Sequence, residues 1–386
     1  MSQLLNERWS ETKDALLEGL QGNRRSSMAV CLENTRRYLG ESATAGATSA
    51  GNVATLNRVI LPVIRRVMPT VIANEIIGVQ PMTGPVGQIH TLRVRYADNG
   101  DNVVSGEEAL SPFKIAAAYS GNNQDSNPKA NSTAALEGTP GKRMSIQILK
   151  TPVEAKSRKL SARWTFEAAQ DAQSQHGIDV EAEIMAALAQ EITAEIDQEI
   201  LLSLATLATT EYTYNQATVS GTATYVGDEH AALAVLINRV ANLIAQRTRR
   251  GAGNWAVVSP ASLTVLQSAT TSAFARTTEG TFEAPTNTKF VGTLNGAMRV
   301  FVNSYAQDTQ SVLVGYKGTS EADAAAFYCP YIPLMSSGVV LDPSTFEPVV
   351  SFMTRYGYIE LTNTASSFGN AADYVGEIAV QNLTFQ

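Results

Sequence analysis

Seven aliphatic residues at four-residue intervals, Val180, Ile184, Leu188, Ile192, Ile196, Ile200 and Leu204, constrain this chain more than any other feature. Strands repeat every two residues and helices every 3.6, so the spacing predicts one helix whose apolar line winds slowly around it. Asp179 is placed to accept from the first free N–H groups, which sets the predicted helix at about residues 179–207. At about 1.5 Å per residue such a helix is on the order of 40 Å long. A rod of that length crosses a whole domain, so other elements must cover its apolar side. Just before it, Thr165 is the predicted cap of a shorter helix running to His176, and Gly177 suits the left-handed residue that ends one.

Upstream, the chain divides by composition. Residues 4–40 are rich in helix formers, with Leu4, Leu5, Trp9, Leu16, Leu17 and Leu20 in an irregular apolar stripe and a second run from Met28 to Leu39. Glu41–Asn52 is small and polar and cannot bury enough apolar surface to order itself, so residues 1–52 read as a detachable helical appendage and its linker. Pro69 suits the first turn of a helix, where a missing N–H costs nothing, and Val71, Ile72, Ile76 and Ile77 predict a buried helical face that Gly78 ends. Pro81, Gly84, Pro85 and Gly87 then mark a turn, after which Leu92, Val94 and Tyr96 alternate with Arg93 and Arg95 as in a strand with one solvated face.

Asp98–Arg143 is dominated by Gly, Asn, Ser, Asp and Pro, and strand patterns resume at Met144–Leu149 and Val153–Trp164. An irregular segment of that length between two strands predicts a long projecting hairpin, and a two-stranded ribbon is not stable alone. Further on, Asp228–Arg249 predicts an amphipathic helix built on Leu233, Leu236, Ile237, Val240 and Ile244, with Arg247, Arg249 and Arg250 at the negative end of its dipole. Asn254–Ser259 reads as a short buried strand and Pro260–Ser268 as a helix, while Phe290–Tyr305, Val312–Tyr316, Val349–Leu361 and Tyr374–Phe385 read as strand.

Candidate chemistry is sparse. Glu191, Glu195 and Glu199 stand one helical turn apart and repel, which predicts a basic partner across from them; the Glu-x-x-His element of a di-metal bundle is missing. His90, His176 and His230 have no ligand-like spacing, and neither a G-x-S-x-G elbow nor a G-x-x-x-x-G-K-[ST] loop is present. No residue is therefore assigned a catalytic, cofactor-binding or metal-binding role. Cys31 and Cys329 read as free thiols suited to a reducing cytoplasm. A net charge of -7 argues against a chain whose main task is gripping nucleic acid, and only 17% of residues are charged, which suits extra burial against other subunits. No run of about eighteen apolar residues and no secretory signal is recognisable, so membrane spanning and secretion are not expected.

Arg65 and Arg66 ahead of Pro69, then Gly78-Val79-Gln80-Pro81-Met82, Pro85, Gly87-Gln88 and a strand, form a pattern that resembles the major capsid proteins of T4-like tailed bacteriophages. Lys156–Ile184, Lys289–Asn303, Val314–Leu334 and Phe352–Gly357 match further segments of that family in the same order. The resemblance implies an α+β, HK97-like capsid fold: a P domain with a long spine helix and a β-sheet, an A domain, an extended β-hairpin loop and an N-terminal arm. On this sequence it places the appendage and linker at 1–52, the N-arm and first P-domain strand at 53–97, and the extended loop at 98–150. The P domain then takes 151–250 with the spine helix at about 179–207, the A domain 251–345, and C-terminal strands returning to the P domain 346–386. T4-like members also carry a folded insertion domain in the extended-loop region, whereas here roughly fifty polar residues occupy that space, too few for an independent domain.

The implied function is structural rather than enzymatic. Copies of the chain are expected to assemble into hexamers and pentamers of an icosahedral head that encloses double-stranded DNA without sequence-specific binding. The implied setting is the shell of the virion, assembled in the host cytoplasm with scaffold, portal and decoration proteins as partners. Asn99, Asp101, Glu107, Glu108, Lys129 and Lys142 are the loop residues expected to meet a neighbouring subunit. Leu39-Gly40-Glu41 resembles the hydrophobic-x-Glu sites cut by prohead proteases, which makes Glu41 a candidate cleavage position. Two rivals remain at this stage: a paralogous vertex protein that forms only pentamers, and a soluble α/β enzyme or binding module.

Overall fold

The computed structural model describes residues 9–10, 13–45, 71–100, 103–107, 109, 119–124, 127–138, 140–176, 179–216, 226–269, 274–276, 289–306, 311–320, 323–345, 347–361 and 371–383. The arm at 53–70, with Arg65, Arg66 and Pro69, and the proposed helix stop Gly177 lie outside these residues. The helices are α1 (Gly22–Ala45), α2 (Ala73–Ile76), α3 (Thr133–Leu136), α4 (Phe166–His176), α5 (Val180–Leu207), α6 (Val226–Thr248) and α7 (Pro260–Ser268). The strands up to the middle of the chain are β1 (Gly78–Val79), β2 (Val86–Tyr96), β3 (Asn122–Gln124), β4 (Asn127–Lys129), β5 (Met144–Glu154), β6 (Lys156–Arg163), β7 (Thr209–Asn215) and β8 (Trp255–Val258). Then come β9 (Phe274–Arg276), β10 (Lys289–Leu294), β11 (Met298–Val302), β12 (Val312–Gly315), β13 (Ala326–Ser336), β14 (Val340–Leu341), β15 (Pro348–Glu360) and β16 (Val375–Gln381). Helix and strand are thus mixed along the chain, in the α+β class expected.

Two compact units emerge. The first gathers Met1–Gly87, Val153–Leu202 and Phe327–Ile359. Its axis is the part of α5 up to Leu202, where Leu188, Ile192, Ile196 and Ile200 are all buried, as the four-residue spacing requires. Asp179 caps the helix by accepting from the Glu181 and Ala182 amides at 3.1 and 3.4 Å, and Thr165 caps α4 by accepting from the Ala168 amide at 3.3 Å. Beside α5 lies a sheet in which β15 runs antiparallel to β6, from Val349 opposite Arg163 to Tyr356 opposite Lys156. On β15, Val350, Phe352, Thr354 and Tyr356 alternate inward, the period of a strand with one covered face.

Three expectations are corrected in this unit. The N-terminal helix is not a detachable appendage: Met28, Cys31 and Leu32 of α1 are buried, and the Asn34 amide donates to the carbonyls of Met82 at 2.7 Å and Tyr331 at 3.0 Å. Nor does the linker begin at Glu41, because α1 continues through Ala45. Glu41, Ala43 and Ala45 are good helix formers, and a helix already nucleated on a buried face propagates through them at little cost. Finally, the helix expected after Pro69 shrinks to four residues, and Gly78 opens a strand instead of closing that helix. The main chain there is taken up by β13: β1 pairs with it in parallel, and the Gln80 and Met82 amides donate to the Tyr328 and Pro330 carbonyls at 3.0 Å each.

The second unit gathers Gln88–Pro152, Ser203–Ala326 and Glu360–Gln386. Among the described residues its main sheet has seven strands in the order β7-β16-β12-β8-β11-β10-β9. Leu233, Ile237, Val240 and Ile244 of α6 and Val265 and Leu266 of α7 share one core with Val300, Val314 and Ile378 of the sheet. The stretch expected as a single strand from Phe290 to Tyr305 is a hairpin, β10 and β11, turned at Asn295 and Gly296 with φ of 52° and 69°. An Asn-Gly pair is the strongest local signal for such a turn.

Domain limits also shift. Residues 203–250, including α6, go with the seven-stranded sheet and not with α5; β13 and β14 go with α5; and β16 lies in the seven-stranded sheet rather than returning to the first unit. Strand pairing places the strands and core packing places α6, and the partners lie tens to hundreds of residues apart.

Candidate functional site

β2 and β5 form a two-stranded sheet that carries the extended loop between them. At one end the loop closes on a small core of Tyr96, Val103, Ala109 and Tyr119, with the two tyrosine rings tilted at a centroid distance of 4.6 Å. A local apolar cluster thus forms in a segment dominated by small and polar residues. The Tyr119 hydroxyl donates to the Arg143 carbonyl at 2.5 Å and accepts from the Asp98 amide at 3.2 Å. Asp98 in turn accepts from the Arg143 amide at 2.7 Å and bridges its guanidinium at 3.1 Å, and these hydrogen bonds hold the Asp98 carboxyl below its ordinary range.

The expected contact residues divide around this clasp. Asn99 accepts from the Ser105 amide at 2.8 Å, Glu107 accepts from the Val104 amide at 3.2 Å, and the Lys142 ammonium sits 5.5 Å from the centre of the Tyr119 ring. These three come together, and their polar atoms hold the loop's own shape. Lys129 ends β4, in the separate β3–β4 ribbon. Asp101 and Glu108 lie outside the described residues.

β5 presents a second candidate surface. Met144, Ile146 and Ile148 alternate along β5 and are 53%, 68% and 61% exposed. Alternate residues share one face of a strand, so the three make a continuous apolar row. The Met-Ser-Ile-Gln-Ile alternation carries this signal in sequence; what sequence could not supply is that the row faces water in the isolated chain. An apolar row on a two-stranded ribbon is stabilised by burial at about 25 cal/mol per Å² once another surface covers it.

The carboxylate trio on α5 has the basic partner that its spacing called for. Arg158 of β6 bridges Glu195 at 2.8 Å and Glu199 at 2.5 Å, and the Tyr356 hydroxyl donates to Glu199 as well. Burial alone would raise Glu199, but the hydrogen bonds from Tyr356 and Arg158 outweigh it and hold the carboxyl below its ordinary range; Tyr356 is pushed up, chiefly by burial and then by Glu199. Glu191 is exposed. No group of His, Cys, Asp and Glu that could hold a metal occurs among the described residues. His230 meets the Ser268 hydroxyl at 2.5 Å, but that hydroxyl also caps the Thr264 and Val265 carbonyls at the end of α7, a structural arrangement. His90 is exposed on β2. Cys31 and Cys329 are buried free thiols that burial pushes up to about 12, which keeps both unreactive as nucleophiles. Glu41 occupies the closing turns of α1. No helix among the described residues is long and apolar enough to cross a membrane.

The family described as "Major capsid protein Gp23" matches residues 53–138 and 118–380. The major capsid protein of Vibrio phage KVP40 is 30% identical over 419 residues, covering 84% of this chain and 80% of the relative. That of Enterobacteria phage T4 is 29% identical over 411 residues, covering 83% and 78%. Among solved structures, a chain from Microbacterium phage Oxtober96 superposes with a TM-score of 0.47 at 10% identity, over 80% of this chain and 90% of that one. A second, from the mature capsid of bacteriophage PhiM1, gives 0.45 at 13% identity, over 79% and 84%. With a family match running from residue 53 to residue 380 and a relative at 30% identity over most of both sequences, this chain belongs to the Gp23 family of major capsid proteins.

Proposed function

We propose that the chain builds the shell of a tailed-phage head by self-assembly into hexamers and pentamers, with an HK97-like subunit whose A domain is the seven-stranded unit and whose spine helix is α5. The family match carries the reading, and the uncovered row on β5 supports it, since a subunit made to be covered by neighbours exposes such surface. The chain then acts without catalysis and encloses double-stranded DNA without reading its sequence. Scaffold, portal and decoration proteins are its proposed partners, and the host cytoplasm its place of assembly. Asn99, Glu107 and Lys142 shape the extended loop, Met144, Ile146 and Ile148 supply its apolar contact with a neighbouring copy, and Lys129, Asp101 and Glu108 complete the polar rim.

Replacing Ile146 and Ile148 together by Asp tests the assembly surface. Both side chains are exposed, so the subunit's own stability should change by no more than about 0.5 kcal/mol at each site. Electron microscopy of the purified variant should show soluble subunits where the unaltered chain forms shells. Normal shells from the double variant would remove β5 from the contact.

Processing at Glu41 is a separate question. Removing residues 1–41 would strip Met28, Cys31, Leu32 and Asn34 from the first unit and uncover the Met82 and Tyr331 carbonyls that Asn34 satisfies. Retention is therefore expected: mass spectrometry of subunits from filled particles should give the intact 41.3 kDa chain. A subunit beginning at Ser42 would show instead that this helix serves only before cleavage.

A further inference from the structure

Asp197 lies on α5 beside the apolar line, between Ile196 and Ile200, and is only 1% exposed. Its Oδ1 accepts from the Ile72 amide at 2.9 Å, and its Oδ2 is sealed from solvent with no hydrogen-bond partner. Ile72 belongs to the short run Val71–Ile77, in which Val71, Ile72, Ile76 and Ile77 are buried and from which the chain enters β1. One carboxyl thus makes a polar tie between the longest helix and the first described residues that follow the arm.

Among the described residues, the ionisable groups around it offer no cation. Tyr328 and Cys329 on β13, Cys31 on α1 and Tyr356 on β15 are grouped around Tyr328, which also senses Asp197, and all are neutral when protonated. Two cations of the same elements are already engaged: Arg24 of α1 with Glu75 of α2, and Arg158 of β6 with Glu195 and Glu199 of α5. A carboxylate in such a place is disfavoured, because one main-chain hydrogen bond offsets only part of the lost hydration. Burial accordingly pushes the Asp197 carboxyl up to about 7, with the Ile72 amide as the weaker opposing influence.

We propose that Asp197 is a proton-sensitive clasp, which holds the Val71–Ile77 segment against α5 when its carboxyl is protonated and loosens that segment when the carboxyl ionises. The direction follows from linkage. The closed form holds the proton more tightly than an opened form with the ordinary value of 3.8, so closure is fullest at acid pH. It weakens as pH rises through the window from about 4 to about 7, and above the upper limit both forms are ionised and the effect is constant. Because the clasp sits where the arm joins the subunit, a pH change near neutrality alters how firmly the arm's root is held.

Amide hydrogen exchange on the full-length chain, corrected for the intrinsic pH dependence of exchange, tests the proposal. Protection of the 71–77 amides should fall by up to about tenfold per pH unit between pH 5 and 7 and then level off. Protection of β16 in the other unit should stay flat. Asp197→Asn, which keeps the shape and removes the titration, should leave the 71–77 amides flat throughout. An identical pH profile in the variant, or no fall in the unaltered chain, overturns the clasp.

If Asp197→Asn does not fold, an infrared titration of the unaltered chain decides the matter. The other carboxyls with displaced titrations among the described residues, Asp98, Glu199 and Asp342, are displaced downward. Among the described residues a protonated-carboxyl band that persists above pH 6 therefore belongs to Asp197; such a band supports the proposal, and its absence at pH 5 overturns it.

Discussion

Ile196→Asp is expected to unfold the subunit before assembly is ever reached. Ile196 is 1% exposed and lies in the middle of the buried line on α5, flanked by Ile192 and Ile200. The change removes a buried aliphatic side chain and puts an unpaired carboxylate in its place, with the Arg158 guanidinium of β6 already committed to Glu195 and Glu199. Losses of this type run to about 4 kcal/mol or more, against a total stability of roughly 5–15 kcal/mol for a domain. Urea unfolding followed by circular dichroism should show a collapsed midpoint or no native baseline at all. Glu195→Gln is the control on the neighbouring face: its partner Arg158 keeps Glu199, the pair is partly exposed, and the cost should stay within about 1 kcal/mol. Equal stability of Ile196→Asp and the unaltered chain would mean that this helical face is not the one buried.

The second large effect concerns Gly315. This residue sits opposite Trp255 in the pairing of β12 with β8, and a Cβ added there would come within 2.1 Å of the indole ring. Trp255 is fully buried and its ring cannot swing aside, so even Gly315→Ala forces the two strands apart. Overpacking of a well-filled core costs about 1–3 kcal/mol and more where the neighbour is rigid. The upper end is expected here, and Gly315→Val should not accumulate as folded protein. Thermal unfolding monitored by near-ultraviolet circular dichroism reads the disturbed indole directly. An unchanged melting curve for Gly315→Ala would show that β12 can shift without penalty.

Both predictions rest on residues of very different legibility. The line on α5 could be read from sequence because helix period and burial speak in the same local pattern, and so could its Asp179 cap and the α7 limits from Pro260 to Ser268. The Gly315–Trp255 contact could not, since it joins positions sixty residues apart by a strand pairing that neither segment announces. The β10–β11 turn was announced, by Asn295-Gly296, and the apolar alternation on either side of it concealed the break.

For the site, composition marked the extended loop, and the resemblance gave it a role, but the named polar residues Asn99, Glu107 and Lys142 turn inward to the loop's own main chain and to Tyr119. The exposure of the row on β5 is decided by the tertiary structure, which leaves those side chains uncovered.

By itself the sequence determined the helical period of α5 and α6, the Asp179 and Thr165 caps, the class of the fold and, through ordered motifs, the family. Those properties live in neighbouring residues, where a period of two or 3.6 and a capping side chain act over a few ångströms. Tertiary structure alone decided that α1 belongs to a core, that α6 sides with the seven-stranded sheet, that Arg158 faces the acidic trio, and that Asp197 is sealed against Ile72. Each of these is a meeting of distant segments, and the energy of such a meeting depends on desolvation and shape at the contact, which no local pattern encodes.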